Sequence, residues 1–279
     1  MKRIFKLSDL FRSDLKSGEV KIKTRPSLVV TWTLIYSLAL APFIEGCGYR
    51  DISTENGRLS LIQQANLFLN SANCGQARDT IQPLYQSQYV NNEVRLVYAS
   101  AYACSASFSF TGLVSNLKGS STSIFSSLVA AMYSNGNDSH LLNYQSAATL
   151  VASTTAVAGS LNAADRPSDA NVYMIFMQLG ILSSVISTLG VASQSTGQKT
   201  VAITGLGTAA QQCAVQSAIA IVSDSISSVG STGVFSSLSS SFTSLCAGGV
   251  CGNKDPSVCT AGVQAWGAAL IAAVDTLWI

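Results

Sequence analysis

From Leu59 to Cys104 apolar positions return at helical spacing. Leu61, Ala65, Phe68 and Leu69 share one face. Gly75 follows a break, and Ala77, Ile81, Leu84 and Tyr85 mark a second helix. Asn91 and Asn92 punctuate before a third, with Val94, Val97, Tyr98, Ala99 and Tyr102. A shorter block, Ile124 to Tyr133, precedes a loop at Asn135–Asp138, and a helix is expected from about Leu141 to Ser160. Asn162 to Asp169 reads as a turn, because Pro167 bars helix continuation through Arg166, with Ser168 or Asp169 available as a cap. Three further stripes follow. The first, in Asp169–Ser193, is Val172, Ile175, Phe176, Leu179, Ile186 and Leu189. The second is Val215, Ile219, Val222, Ile226 and Val229. The third is Val263, Trp266, Leu270, Val274 and Leu277. Ser183, Ser184, Ser187 and Thr188 interrupt the other faces of the first, so the stripes predict one-sided helices packed in a core, not membrane spans. The expected class is all-α.

The front helices resemble tetratricopeptide repeats, whose period is about 34 residues. Ala65 and Phe68 recur one period later as Ala99 and Tyr102, where that family places a small residue and an aromatic in its first helix. Ala77 and Ile81 take the small and bulky positions of the second helix. The proline usual at the repeat's end is replaced by Tyr89 or Val90. The resemblance covers about 59–105, one repeat and half of the next. It implies helical hairpins with a groove, lined here by Tyr85 and Tyr98 with Arg95 as a long donor, that bind a partner. In this frame Cys74 and Cys104 lie at the same end of the stack, and a disulfide between them staples one repeat to the next. A plain helical hairpin is the alternative reading.

The N-terminal pattern is of another kind. A basic leader carries Lys2, Arg3, Lys6, Arg12, Lys16, Lys21, Lys23 and Arg25, and Ser27 to Ile44 is free of charge. That is the layout of a secretory signal. Ile44, Glu45 and Gly46 lead into Cys47, and this segment resembles a bacterial lipobox. The resemblance implies an acylated Cys47 as first mature residue, with 1–46 removed. Glu45 and the long leader depart from the family's pattern. Left uncut, the same run is a signal-anchor. Both readings put the chain after Cys47 in the cell envelope of a bacterium. Gly48 implies the outer membrane if the usual sorting rule applies.

Without the leader, the 16 basic and 14 acidic residues fall to 8 and 10, a net charge of −2 over 233 residues. So sparse a charge gives no electrostatic footprint for nucleic acid. The cysteine count fits the same picture. Seven is odd, but reserving Cys47 for lipid leaves Cys74, Cys104, Cys213, Cys246, Cys251 and Cys259, enough for three disulfides in an oxidising compartment. Among the last four, the expected pairing is Cys251–Cys259 with Cys213–Cys246. Buried free thiols are the alternative.

Catalytic signals are sparse. His140 is the one histidine, beside Asp138 in an expected loop, and no Gly-x-Ser-x-Gly elbow occurs. Gly205-Leu206-Gly207 lacks the third glycine of a phosphate loop. Asp138, Asp165 and Asp169 lack calcium-loop spacing. No cysteine pair with a nearby histidine suggests zinc, and no catalytic, metal or cofactor site is expected.

The sequence therefore predicts a leader (1–46), a tether (47–58), a tetratricopeptide-like region (59–110) and a Ser-rich helical bundle with a C-terminal cysteine loop (111–279), disulfide-stapled. The expected role is a lipid-anchored, non-enzymatic scaffold or assembly factor with an envelope protein partner, and a homo-oligomer is a further possibility. A second reading is a helical ligand-binding accessory, similar in architecture to the T component of tripartite ATP-independent periplasmic transporters.

Overall fold

The computed structural model describes residues 51–108, 124–132, 138–193, 195–230 and 234–278. Cys47 and the leader lie outside them. Arg50–Ile279 forms one compact unit, so the two regions expected after the tether are stretches of one body. Among the described residues it is built from nine α-helices and one short β-hairpin.

The first helix, α1, is Glu55–Asn70. It starts earlier than expected, taking the end of the tether, because the Thr54 hydroxyl accepts the Gly57 amide and caps the first turn. Its buried residues are Ile62 and Ala65. A tight turn, closed by the Asn73 amide on the Phe68 carbonyl, leads into α2 (Cys74–Tyr85), which buries Ala77, Ile81 and Leu84. Asn91 caps α3 (Asn92–Ser105) by accepting the Val94 amide. Each of α2 and α3 packs on the helix before it, and α1 also touches α3. Ala65 and Ala99 are fully buried, so the small side chains sit where the helices come closest. Cys74 and Cys104 are bonded across the stack (Cα–Cα 5.4 Å), as expected from the sequence.

After α4 (Ile124–Ala131) comes α5 (Asp138–Ala152), which packs on both α3 and α6 (Ser168–Leu189). The expected helix to Ser160 stops at Ala152. Ser153 and Thr154 turn their hydroxyls back onto the Leu150 and Val151 carbonyls (2.6 and 2.7 Å), while Thr155 bonds the Asp165 carbonyl. Such local bonds compete with the next helical turn. Pro167, not Ser168 or Asp169, stands at the N-cap of α6.

Two of the expected stripes are wider than predicted. In α6 every residue from Met174 to Ile186 is buried, Ser183 and Ser184 included. In α7 (Ala209–Val229) burial runs unbroken from Cys213 to Val222. These are central helices covered on all sides, and their serines and alanines admit close neighbours. The α6 helix is long and apolar enough to cross a membrane, yet most of its apolar stretch is buried inside the protein. At Gly180 an added Cβ would lie 2.4 Å from the Tyr144 ring of α5.

The last helices, α8 (Val234–Leu245) and α9 (Ala261–Leu277), both pack on α7. The third stripe is shifted: α9 buries Val263, Gly267, Leu270, Ile271 and Val274 and leaves Trp266 and Leu277 exposed. Gly267 sets the register, since a Cβ there would stand 2.0 Å from the Gln212 carbonyl oxygen. The hairpin β1 (Val191–Ala192) and β2 (Lys199–Val201) is tied to the chain end. Trp278, fully buried, donates its indole N–H to the Gly197 carbonyl (2.7 Å), and Lys199 pairs with Asp275 (2.9 Å).

The C-terminal cysteines pair differently from the expectation. The bonds are Cys213–Cys259 and Cys246–Cys251. The reason is placement: Cys213 lies in the first turns of α7, where the loop leading into α9 passes, while Cys246, just after α8, is only a short 3₁₀ turn, Ala247–Gly249, from Cys251.

Candidate functional site

The residues expected to meet a partner separate. Tyr85 and Tyr98 stack, with ring centroids 4.7 Å apart, and Tyr102 meets Tyr98 edge-on at 5.3 Å. Tyr98, however, is 7% exposed, and burial, reinforced by a hydrogen bond with Tyr102, pushes its phenol up to about 12. It braces the half-buried Tyr85 and Tyr102 and presents no face of its own. Arg95 is half-buried and donates to the Asn92 side chain (3.0 Å). The arginines that meet tyrosines are others. Arg58 lies 4.4 Å over the Tyr89 ring and Arg78 5.8 Å over Tyr102. Neither pair stood out in the sequence, because the partners are 31 and 24 residues apart.

His140 sits in the first turn of α5, not in a loop. Its Nδ1 is buried without a hydrogen-bond partner, and desolvation lowers its pKa, which favours the neutral ring. Gly205 and Gly207 take left-handed backbone before the Thr208–Gln211 capping box of α7 and serve as a turn. Among the described residues no group of three or more His, Cys, Asp or Glu is placed to hold a metal.

A buried polar junction joins the segment before α6 to α7. Arg166, 6% exposed, donates to the Asn171 side chain (2.9 Å), the Leu161 carbonyl (2.9 Å) and the Ser225 hydroxyl (3.1 Å). Burial lowers its pKa, and the nearby Asp224 and Asp165 carboxylates counter that shift. Asp224 accepts the Ala163 amide (2.7 Å) and pairs with Lys254 (2.8 Å), which also reaches Asn162. With all these partners in place the junction reads as a structural lock, fixing the 160s segment and the cysteine loop against α7.

Beside this lock lies a half-open cleft of about 360 Å³, where α5, α6 and α7 meet. Its walls recur at helical spacing. Ala148 and Ala152 come from α5; Met174, Gln178 and Ile181 from α6; Ala214, Ser217 and Ile221 from α7. The small residues leave the space, and the long ones line it. Asp255 and Pro256 of the cysteine loop stand at its margin. Cys213–Cys259 holds that loop, together with the Ser217 hydroxyl donating to the Lys254 carbonyl (2.8 Å). A second opening continues past Gly159 and Leu161. The sequence carries little signal for this site: Gln145 and Gln178 are two amides among several in these helices.

Comparison with family models, with characterised proteins and with solved structures gives no match to this chain.

Proposed function

We propose that the protein is a non-enzymatic bacterial envelope lipoprotein, anchored through an acylated Cys47, whose helical stack serves as a scaffold or assembly factor for another envelope protein. One observation carries this reading. The helices α1, α2, α3, α5, α6, α7 and α9 pack largely in chain order, and among the described helices α1 stands at one end of the row. Arrays of this kind bury a continuous core by nearest-neighbour contacts and end in a cap with a polar outer face. Here the outer side of α1 carries Leu59 and Leu67, 43% and 65% exposed, among Gln63, Asn66 and Asn70. An uncharged amide face with exposed leucines suits a protein neighbour, either a different chain or a second copy. The tetratricopeptide-like register belongs to the same reading and is supported by the complete burial of Ala65 and Ala99.

The test combines anchor and face. Cys47→Ala is expected to release the protein from membranes or to trap its precursor. A photo-crosslinking residue at Leu67 is expected to give one discrete adduct in the native envelope, which a residue at exposed Gln198 does not. Intact mass showing an unmodified chain from Met1, or equal labelling from both positions, would sink the proposal.

A second reading, the ligand-binding accessory, is favoured by the cleft between α5, α6 and α7. Its volume falls in the range of small-molecule sites.

A further inference from the structure

The cleft holds one polar group that the fold does not use well. Gln178 is 5% exposed and lines the cleft, and among the described residues its side-chain amide makes a single hydrogen bond, to the Met174 sulfur (3.4 Å). A thioether is a weak acceptor. Because Gln178 lines an opening and is not sealed in the interior, its amide keeps bonding capacity that a group entering the cleft can take up. The neighbouring hydroxyls are committed as donors: Thr149 to the Gln145 carbonyl (2.9 Å) and Ser217 to that of Lys254 (2.8 Å).

Charge narrows the class of occupant. The one carboxylate at the margin, Asp255, is held ionised by the Ser257 hydroxyl and amide. The nearest cation on the same loop, Lys254, is occupied by Asp224 and Asn162. No lining residue is cationic. A carboxylate or phosphate entering this cleft gives up part of its water and gains no countercharge from the lining, so an uncharged occupant is favoured over an anion.

We propose that the cleft between α5, α6 and α7 binds a small uncharged molecule with an apolar body and one hydroxyl or carbonyl, the apolar part lying against Met174, Ile181 and Ile221 and the polar group meeting the Gln178 amide. The proposal rests on the ligand-binding reading and is independent of the scaffold one. Cys213–Cys259 and the Lys254 contacts keep the Asp255–Pro256 segment beside the cleft, so the cysteine loop is part of the site.

Met174 provides the readout. The chain has four methionines, Met1, Met132, Met174 and Met177, so methyl-labelled methionine gives few signals. Full-length protein in lipid nanodiscs is titrated with hexan-1-ol and, separately, with hexanoate at neutral pH. Hexan-1-ol is expected to shift the Met174 methyl saturably and leave Met132 in place, with hexanoate at least tenfold weaker. Gln178→Leu is expected to weaken hexan-1-ol by roughly fivefold, the scale of one neutral hydrogen bond. Should Gln178→Leu not fold, the two probes on the wild-type chain still decide. Hexanoate binding as well as hexan-1-ol overturns the uncharged class but leaves a ligand site standing. No saturable shift from either probe overturns the cleft as a site and the ligand-binding reading with it.

Discussion

The front of the molecule, α1 to α3, and its centre, α6 and α7, are built from similar residues but solve different packing problems. At the front the extreme case is α1, which among the described residues packs chiefly on α2 and α3. In α1 only Ile62 and Ala65 are buried, while Gln63, Asn66 and Asn70 are exposed. The central helices have neighbours all round, so Ser183, Ser184, Ser217 and Ser225 are as buried as the leucines. Serine on a helix does not by itself mark the wet side. In a chain with few charges, apolar stripes locate a helix but say little about how much of its circumference is covered. Cross-links, close contacts, carboxylates and surface arginines should then respond differently in the two regions.

The largest effects are expected from the cross-links. Replacing Cys213 and Cys259 together by Ser opens a 46-residue separation, about 4 kcal/mol on the chain-entropy model, against roughly 3–4 kcal/mol for the 30-residue separation of Cys74 and Cys104. Urea unfolding without reductant measures both. The sharper contrast is local. Losing Cys213–Cys259 should speed hydrogen exchange around Asp255 and Pro256, whereas losing Cys74–Cys104 should loosen α1 and α2 and leave the cleft unchanged. If both losses loosen the whole chain equally, the division between front and centre is wrong.

Overpacking separates the regions next. Gly180→Ala puts a methyl 2.4 Å from the Tyr144 ring, inside a helix with no free side. A cost of about 2–3 kcal/mol is expected, the upper part of the range for such changes. Ala99→Leu, at a fully buried contact of α3, should cost about 1–2 kcal/mol, since the short helices of the front can shift apart more easily than the centre. Thermal unfolding of the two variants side by side gives the comparison. An Ala99→Leu variant as stable as wild type would discard the repeat register.

This contrast also accounts for what could be read beforehand. The front was legible because its residues obey local rules. Asn91 punctuates, Ala65 and Ala99 mark close approach, and Cys74 and Cys104 fall at one end of a short stack; the Thr54 cap, which carries α1 back into the expected tether, was not foreseen. The centre was only half legible. Val215, Ile219, Val222 and Ile226 gave the axis of α7 correctly, but its small residues have no outward signature of burial. The pairing of Cys213 with Cys259 depends on α7 lying against the entry to α9, a tertiary fact that spacing does not contain. Trp266 illustrates the same limit. It was expected in the buried stripe, yet the constraint on α9 is Gly267 against the Gln212 backbone, which turns Trp266 outward. The cleft was missed because alanines create it, and Gln178 is one amide among many.

A smaller effect concerns acid stability. Asp275 accepts the Ile203 amide (3.0 Å) and pairs with Lys199, and these contacts hold its carboxyl below the usual range, with the amide bond contributing most. A depressed carboxylate stabilises the fold at pH values above the unfolded pKa, near 4, and that contribution is lost as pH falls through the lower folded value. Asp275→Asn should therefore lower stability at neutral pH by about 1 kcal/mol, given the partial exposure of the pair, and flatten the acid limb of the stability profile below about pH 4. In the front, the one described ion pair, Arg78 with the exposed Asp79 at 3.8 Å, should contribute much less to stability at neutral pH, which Asp79→Asn beside Asp275→Asn checks.

The smallest expected effect on stability bears most directly on function. Arg95 forms no described ion pair, and its guanidinium reaches only Asn92, an exposed neighbour on the same turn of α3. Its removal takes away one local hydrogen bond and some half-buried methylene surface, so Arg95→Ala should change stability by no more than about 0.5 kcal/mol. Ala99 lies one turn along the same helix, and enlarging it to Leu should be costly. The two substitutions therefore separate surface from packing within four residues. If the front surface meets the proposed envelope partner, Arg95→Ala should weaken crosslinking from the Leu67 position several-fold while the melting temperature stays within a degree or two. If crosslinking is unchanged in Arg95→Ala and Tyr85→Ala but lost when Leu59 is changed to Asn, the contact face is the outer side of α1 alone, and the tyrosine cluster serves only to pack α2 on α3. Unfolding of Arg95→Ala would place the guanidinium in the packing between α3 and its neighbours and remove it from the partner surface.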